Sequence, residues 1–515
     1  MSTPSLTRLQ NVPEVLAWLR QQGVRALTVD SRELPGRVAQ GQAVGFIAWP
    51  GAARDGRAFV TQALQQGARA ALVEADGVDA FAFADERVAA VSGLKATLAI
   101  IAHEFHGRPS EHLEVLAVTG TNGKTSTSWW TAQALSALGR PCGVIGTLGV
   151  GRPGGGDFEP TGLTTPDPVT LHATFRQFLD HGLQAAAIEA SSIGIEERRL
   201  DATRIAVAQF TNFTQDHLDY HGTMEAYWQA KAALFRWPGL RAAVVNADDP
   251  QAPELMALAD QRSLDLWTYG LHHPARLRAD APAVGADGLR VRVTESDAGL
   301  TQAVDQVEIQ AALIGDFNVS NLLCVLGGLR ALGVSLAQAA GACAGLSAVP
   351  GRMQQVRLPG ASALSLPLAV VDYAHTPDAL HKALLALRPI TEARGGRLWC
   401  VFGCGGNRDP IKRPLMGAMA DQYADEIVLT SDNPRGESPA YILSQILAGV
   451  ARQDGVAVIE NRHEAIAHAL RSSAPQDVVL IAGKGHEATQ EVAGVKTPFS
   501  DVEESMAALR ARGVA

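Results

Sequence analysis

Residues 113–126 read Leu-Glu-Val-Leu-Ala-Val-Thr-Gly-Thr-Asn-Gly-Lys-Thr-Ser, an apolar run that breaks into a glycine loop and continues as a helical pattern over 124–138. A strand that feeds a glycine loop at the start of a helix has what phosphate binding requires. Backbone N–H groups are uncovered, a lysine can reach the β- and γ-phosphates, and a hydroxyl can reach magnesium. The loop is Gly120, Thr121, Asn122, Gly123, Lys124 and Thr125, followed by Ser126. The usual spacing would put a further glycine at 118, where Val118 stands, so this is a variant of that pattern. The reading is ATP with Mg2+, Lys124 at the γ-phosphate and Thr125 with Ser126 near the metal.

Outward from the loop, strands are expected at 113–119, 142–145 and 185–190, with helices at 124–138 and 171–181. Such alternation specifies a largely parallel sheet with right-handed crossovers. Ahead of it, apolar runs at 26–29, 43–49 and 70–74 with a helix near 58–67 read as a small α/β unit. A helix at 94–105 and a proline-bearing turn at 107–110 then lead onward. Short alternating runs between 285 and 315 suggest an antiparallel appendage, and the glycine-rich tract 149–156 reads as a flexible surface loop. After Pro350 the alternation restarts, with strands at 368–372, 398–403, 426–430 and 478–482. The expected fold is α/β in three domains. These are a small N-terminal α/β domain at 1–94, a central P-loop-type parallel-sheet ATPase domain at 95–349, and a C-terminal Rossmann-like α/β domain at 350–515.

Composition agrees. A chain of 515 residues exceeds one ordinary core at roughly 100–200 residues per domain. Hydrophobic and charged fractions of 47% and 19% fit a folded protein. A net charge of -9 without a dense basic run argues against nucleic acid, so small molecules are the expected partners. Cys142, Cys324, Cys343, Cys400 and Cys404 show neither CxxC nor zinc spacing, which fits a reducing cytoplasm. Pro4, Arg8, Pro13 and Glu14 interrupt the first 20 residues, unlike a signal peptide. No run approaches the roughly 18 apolar residues of a spanning helix. A cytoplasmic monomer without membrane insertion is expected.

Other segments carry candidate chemistry. Glu189 ends an apolar strand in Ile188-Glu-Ala-Ser-Ser192, where ligands collect in parallel sheets, and is a candidate magnesium ligand. Residues 211–219 load one loop with Asn212, Asp216, His217 and Asp219, although a capped polar loop reads the same way. Asp30, Ser31 and Arg32 suit an anionic ligand or a solvated turn equally. Lys231 falls on the helix face of Met224, Tyr227, Trp228 and Phe235. Either its ammonium snorkels to solvent, or it is a desolvated amine of lowered pKa.

Taken together, Gly120–Thr125, Glu189-Ala-Ser-Ser192, Asn246-Ala-Asp-Asp249, Pro350-Gly-Arg352 and Asp372-Tyr-Ala-His375 resemble the Mur ligases of peptidoglycan synthesis along nearly the whole chain. Asp432-Asn-Pro-Arg435 and Gly483-Lys-Gly-His-Glu487 resemble the member that adds meso-2,6-diaminopimelate to UDP-MurNAc-L-Ala-D-Glu. The resemblance implies an N-terminal UDP-substrate domain, a central ATPase and a C-terminal amino-acid domain. ATP would phosphorylate the free D-glutamate carboxylate, and the amine would attack the acyl phosphate, in cell-wall precursor synthesis. It also implies catalytic roles for Lys124, His217 and Lys231, the last carbamylated and joining Thr125 and Glu189 at the metal. Ser31, Thr164, Thr165, Ser191, Glu197 and Arg199 would meet the UDP-muramoyl substrate. Asn318, Arg352, Asp372 and His375 would line the nucleotide.

For diaminopimelate the implied residues are Arg408, Asp432, Asn433, Pro434, Arg435, Gly483 and Glu487. Physically, the loops 403–408, 432–435 and 483–487 each follow an apolar strand and so can converge at one sheet edge. Arg408 and Arg435 can fork onto carboxylates, and Asn433 and Glu487 can satisfy an ammonium. Position 408 is arginine where a dinucleotide fingerprint ends in glycine, so NAD is not expected. The chain departs from the family at Ile193, Glu197 and Ser126, where histidine, glutamine and threonine are usual. Rivals are a lysine-adding ligase, which the arginine of Asp432–Arg435 opposes, folylpolyglutamate synthase, and a non-catalytic binding protein, which would be expected to have lost Lys124, Glu189, His217 or Lys231.

Overall fold

The computed structural model describes residues 6–51, 54–154, 158–285, 288–358 and 365–513. It divides into two compact units, one of 1–124, 135–245 and 249–266, the other of 125–134, 246–248 and 267–515.

The first unit holds two sheets. One is five-stranded and parallel, in the order Thr7–Leu9, Val88–Val91, Ala70–Glu74, Val44–Ala48, Ala26–Thr28. The buried face of helix Leu94–Phe105 (Leu94, Leu98, Ile101, Ala102) packs into its core beside Leu27, Ile47 and Leu72. The other runs Ala242–Asn246, Val207–Phe210, Glu114–Thr119, Ala185–Glu189, Cys142–Gly146, all parallel, and is closed by Gly149–Gly151 running antiparallel. Strands 142–146 and 185–189 are buried at every position, as expected for a sheet covered on both faces. The Glu114–Thr119 strand is the central one and delivers the glycine loop at its C-terminal end.

The second unit carries the antiparallel strands Leu277–Gly285, Gly288–Ser296 and Ala303–Ala311, which is the expected appendage. It also holds a six-stranded sheet in the order Gln354–Val356, Leu368–Asp372, Val478–Ala482, Leu398–Phe402, Glu426–Leu429, Ala457–Val458. All neighbours are parallel except the first pair. Four consecutive strands therefore end on the same edge, and each is followed by one of the motif loops.

Two expectations need correction. The tract 149–156 begins as strand Gly149–Gly151, because Gly149 at φ +105 lets the chain lie against Glu159, whose carbonyl would stand 2.4 Å from an added Cβ. Gly155 and Gly156 lie outside the described residues, as do Met1–Ser5 of the N-terminal segment read for a signal peptide. The helix near 58–67 starts as a 3-10 turn, Gly56–Phe59, capped by Asp55, before the α-helix Val60–Gln65.

Candidate active site

The glycine loop is braced from the neighbouring strand. Thr121 N donates to Asn212 O (2.8 Å), and Asn122 N donates to Asn212 Oδ1 (2.9 Å). The Thr211 hydroxyl donates to Asn122 O at 2.6 Å. Gly120 sits at φ +146, and a Cβ there would meet Thr211 Oγ1 at 1.9 Å, so only glycine fits. Lys124 Nζ donates to Gly120 O and Thr121 O, both at 2.9 Å, folded back along the loop. Thr125 and Ser126 are buried at the start of the helix Lys124–Ala137.

Lys231 settles between its two readings. Thr223 caps the helix Met224–Ala232 by accepting from Ala226 N, which sets the phase that turns Tyr227, Trp228 and Lys231 inward. Lys231 is 1% exposed, so snorkelling is overturned. Its Nζ donates to Gly120 O at 2.7 Å and lies 4.4 Å from the Tyr227 ring centre. Burial, reinforced by the Lys124 charge and opposed by Asp216, pushes the Lys231 amine well below its ordinary value. His217, in a left-handed conformation at φ +51, stands 5.9 Å from the Tyr227 ring. Burial lowers its imidazole too; Asp216 opposes, and Lys124 and Lys231 reinforce.

Glu189 is 1% exposed. It accepts from Thr147 N (2.8 Å) and the Thr147 hydroxyl (3.2 Å), and that hydroxyl is 3.1 Å from Thr164 Oγ1. Gly146 makes room, since a Cβ there would lie 2.2 Å from Glu189 Oε1. Thr165 is the hub of the adjoining shelf. Its hydroxyl donates to Glu189 O (2.7 Å), Ser191 Oγ is 2.9 Å away, and Arg199 Nη1 donates to Thr165 O (3.1 Å). Thr164, Thr165, Ser191 and Arg199 are thus brought together around Glu189. Glu197 is tied to Lys95 Nζ (2.7 Å) and to the Tyr220 hydroxyl (2.8 Å). Ser31 follows the edge strand Ala26–Thr28 of the five-stranded sheet, in a 3-10 turn capped by Asp30, and Asp30 pairs with Arg32 at 2.5 Å.

In the second unit, the four strand-end loops interlock. Asp372 accepts from Met353 N (2.7 Å) and Ala374 N (2.8 Å). Burial raises its carboxyl; Arg352, whose guanidinium lies 4.4 Å from the Tyr373 ring centre, opposes. His375 Nδ1 lies 2.8 Å from Tyr373 O. Gly351 at φ +66 passes so close that a Cβ would stand 2.1 Å from His486 N. Asn318 is buried and bonded to Ile314 O (2.6 Å) and Asn321 (2.9 Å). Asp432 is buried, and the desolvation that raises its carboxyl is opposed by Arg462 and Lys484. Asn433 Nδ2 donates to Glu487 Oε2 at 2.7 Å. Burial acts to raise Glu487, and Lys484 with Asn433 outweighs it, leaving the carboxyl below its ordinary value. Arg435 Nη1 donates to Gly406 O (2.9 Å) and would lie 2.8 Å from a Cβ on Gly405, while Arg408 is exposed.

Comparison with known proteins decides the family. The chain matches the Mur ligase middle domain over residues 118–329 and the Mur ligase glutamate ligase domain over 351–485. It is 55% identical over 517 residues, covering 99% of each chain, to the UDP-N-acetylmuramoyl-L-alanyl-D-glutamate--2,6-diaminopimelate ligase of Acidovorax sp. (strain JS42). The chain belongs to the Mur ligase family. This Mur ligase is also 45% identical to the same-named enzyme of Janthinobacterium sp. (strain Marseille), covering 97% of each chain. A solved structure of such a ligase is 33% identical with a TM-score of 0.65, covering 95% of both chains.

The residues of the Mur ligase fit the groups its family uses. A crowded glycine loop with two lysines sharing one carbonyl suits polyphosphate, and a hydroxyl and a buried carboxylate are hard oxygen donors of the kind magnesium takes. Among the described residues no group of three or more His, Cys, Asp or Glu side chains is set to hold a metal. The roles of three residues escaped sequence reading. Thr147 holds Glu189, Tyr227 covers Lys231, and Lys484, fully buried, donates to Asn433 Oδ1 (3.2 Å), Glu487 Oε2 (2.8 Å) and Thr489 O (2.7 Å). Thr147 stands in no motif quoted above, Tyr227 was read only as part of the apolar face that carries Lys231, and burial of Lys484 is a tertiary fact. Among the described residues no helix is long and apolar enough to cross a membrane.

Proposed function

We propose that this Mur ligase uses MgATP to join meso-2,6-diaminopimelate to UDP-MurNAc-L-Ala-D-Glu, making the peptidoglycan tripeptide precursor in the cytoplasm. The observation that carries the substrate is the convergence of Arg408, Asn433, Arg435 and Glu487 on neighbouring strand ends, two cationic forks beside a carboxylate and an amide. Diaminopimelate presents two carboxylates and two ammoniums. Lysine lacks the distal carboxylate and would leave the Arg435 guanidinium without a carboxylate partner, a loss of the kind that discriminates by roughly 10⁴–10⁵.

The chemistry follows from the poor electrophilicity of a carboxylate. The ligase transfers the γ-phosphoryl of ATP to a carboxylate oxygen of D-glutamate, breaking the bridging O–P bond to ADP. The amine of diaminopimelate then attacks the acyl carbon, an amide forms, phosphate leaves with the carboxylate oxygen, and the nitrogen gives its proton to solvent. Lys124 neutralises charge on the phosphates. Lys231, its amine lowered by burial, would add CO₂ to give a carbamate and a proton, and the new carboxylate, Glu189 and Thr125 are the oxygen ligands that would hold magnesium. Magnesium, when bound, offsets phosphate charge. His217 is the third proposed catalytic residue, assigned to the surroundings of the metal. Ser31, Thr164, Thr165, Ser191, Glu197 and Arg199 are the proposed UDP-muramoyl contacts, and Asn318, Arg352, Asp372 and His375 the proposed nucleotide contacts. The proposed division of labour is 1–94, 95–349 and 350–515.

Oxygen tracing tests the route. With ¹⁸O in the D-glutamate side-chain carboxylate, one labelled oxygen should appear in released phosphate; unlabelled phosphate alongside tripeptide product would exclude an acyl phosphate.

A further inference from the structure

The chain leaves the 483–487 loop as a two-stranded hairpin, Thr489–Val492 and Val495–Pro498, in which no residue is buried. A hairpin has little stability of its own. This one is docked along the Asp432–Arg435 loop. Gln490 Nε2 donates to Asp432 O (2.7 Å), and Glu491 N donates to Asn433 Oδ1 (2.9 Å). Arg435 N donates to Glu491 O (3.1 Å), and Ala493 N donates to Arg435 O (2.6 Å). Ala493 and Gly494 form its two-residue turn with φ of +50 and +80, the positive values a type I′ turn requires.

Arg435 itself sits at φ +52, a left-handed conformation that a long side chain adopts only when its surroundings impose it. Both backbone groups of Arg435 are bonded to the hairpin, and its guanidinium is anchored separately on Gly406 O at 2.9 Å. We propose that the hairpin 489–498 is a specificity-determining splint. It holds Arg435 in the backbone conformation that aims the guanidinium at the distal carboxylate of the amino-acid substrate, with Gln490 and Ala493 as positioning residues. This rests on the reading of Arg435 given above.

The test is steady-state phosphate release by the full chain, varying ATP, UDP-MurNAc-L-Ala-D-Glu and meso-diaminopimelate in turn, with L-lysine as competitor. Ala493→Pro removes the donor and conflicts with positive φ. It should raise KM for diaminopimelate about tenfold or more and narrow the preference over lysine, with the other two KM values within about twofold. Gln490→Ala should move the same way by less. Ala493→Asn, which tolerates positive φ and keeps the N–H, should rescue. If Ala493→Pro does not fold, Gln490→Ala carries the test. An unchanged diaminopimelate KM in folded Gln490→Ala, or a parallel rise in all three KM values, overturns the splint. Arg435→Lys separates the two ideas. If it raises the diaminopimelate KM while the hairpin variants do not, only the splint fails; if it changes nothing, the reading of Arg435 fails.

Discussion

Lys231 and Lys124 direct their Nζ atoms at the same carbonyl, Gly120 O, at 2.7 and 2.9 Å. Burial, with repulsion from the Lys124 ammonium beside it, lowers the Lys231 amine well below its ordinary value. The unfolded chain keeps that amine protonated up to about pH 10.4, so between the lowered pKa and that value the unfolded state binds more protons and stability rises with pH. Lys231→Met should therefore unfold at higher denaturant than the parent at neutral pH in CO₂-depleted buffer, by on the order of 1–3 kcal/mol. The gap should shrink toward pH 10; a constant gap would mean the amine is not the source. The same residue carries a proposed catalytic role. Lys231→Ala should lose roughly 10²–10³ in kcat, with Lys231→Glu, which restores a carboxylate, retaining more, and equal losses would contradict the carbamate. Lysine on an apolar stripe was legible in the sequence, but the choice between snorkelling and burial was not, because it depends on the Gly120 carbonyl contributed by a segment more than a hundred residues away.

At the scale of elements, glycine loops and buried pairs set the strand ends. Gly120→Ala should keep the fold and weaken nucleotide binding ~10–100-fold, from roughly 1–3 kcal/mol of overpacking against Thr211; calorimetric titration with unchanged affinity would contradict the geometry. Arg462 and Asp501, both fully buried, form a two-armed pair at 2.7 Å, and Arg462 also donates to Ser431 O (3.3 Å) and Ala482 O (3.0 Å), the ends of two motif-bearing strands. Arg462→Ala strands a carboxylate in the core and should cost roughly 3–5 kcal/mol in urea unfolding. The double change Arg462→Met with Asp501→Leu should recover much of it, and no recovery would point to packing over charge. Strands such as Val478–Ala482 were legible because they are unbroken apolar runs. The hairpin 489–498 was not, since it is exposed, polar and shaped by the loop it grips, and strand Gly149–Gly151 was hidden by glycines that usually mark a turn.

For the whole molecule, alternation of strand and helix revealed three α/β stretches and the antiparallel strands ahead of the last, because each carries its own hydrophobic period. What alternation does not show is which loops meet. Strand order puts the ends of Leu368–Asp372, Val478–Ala482, Leu398–Phe402 and Glu426–Leu429 side by side, and that order, more than any single motif, assembles the proposed amino-acid pocket. The central claim is a ligase committed to diaminopimelate, and the most direct measurement is phosphate release from MgATP with UDP-MurNAc-L-Ala-D-Glu and, in turn, meso-diaminopimelate, L-lysine or no amino acid. Release coupled to tripeptide formation with diaminopimelate, and little with lysine, is the predicted result; equal or greater turnover with lysine would contradict it.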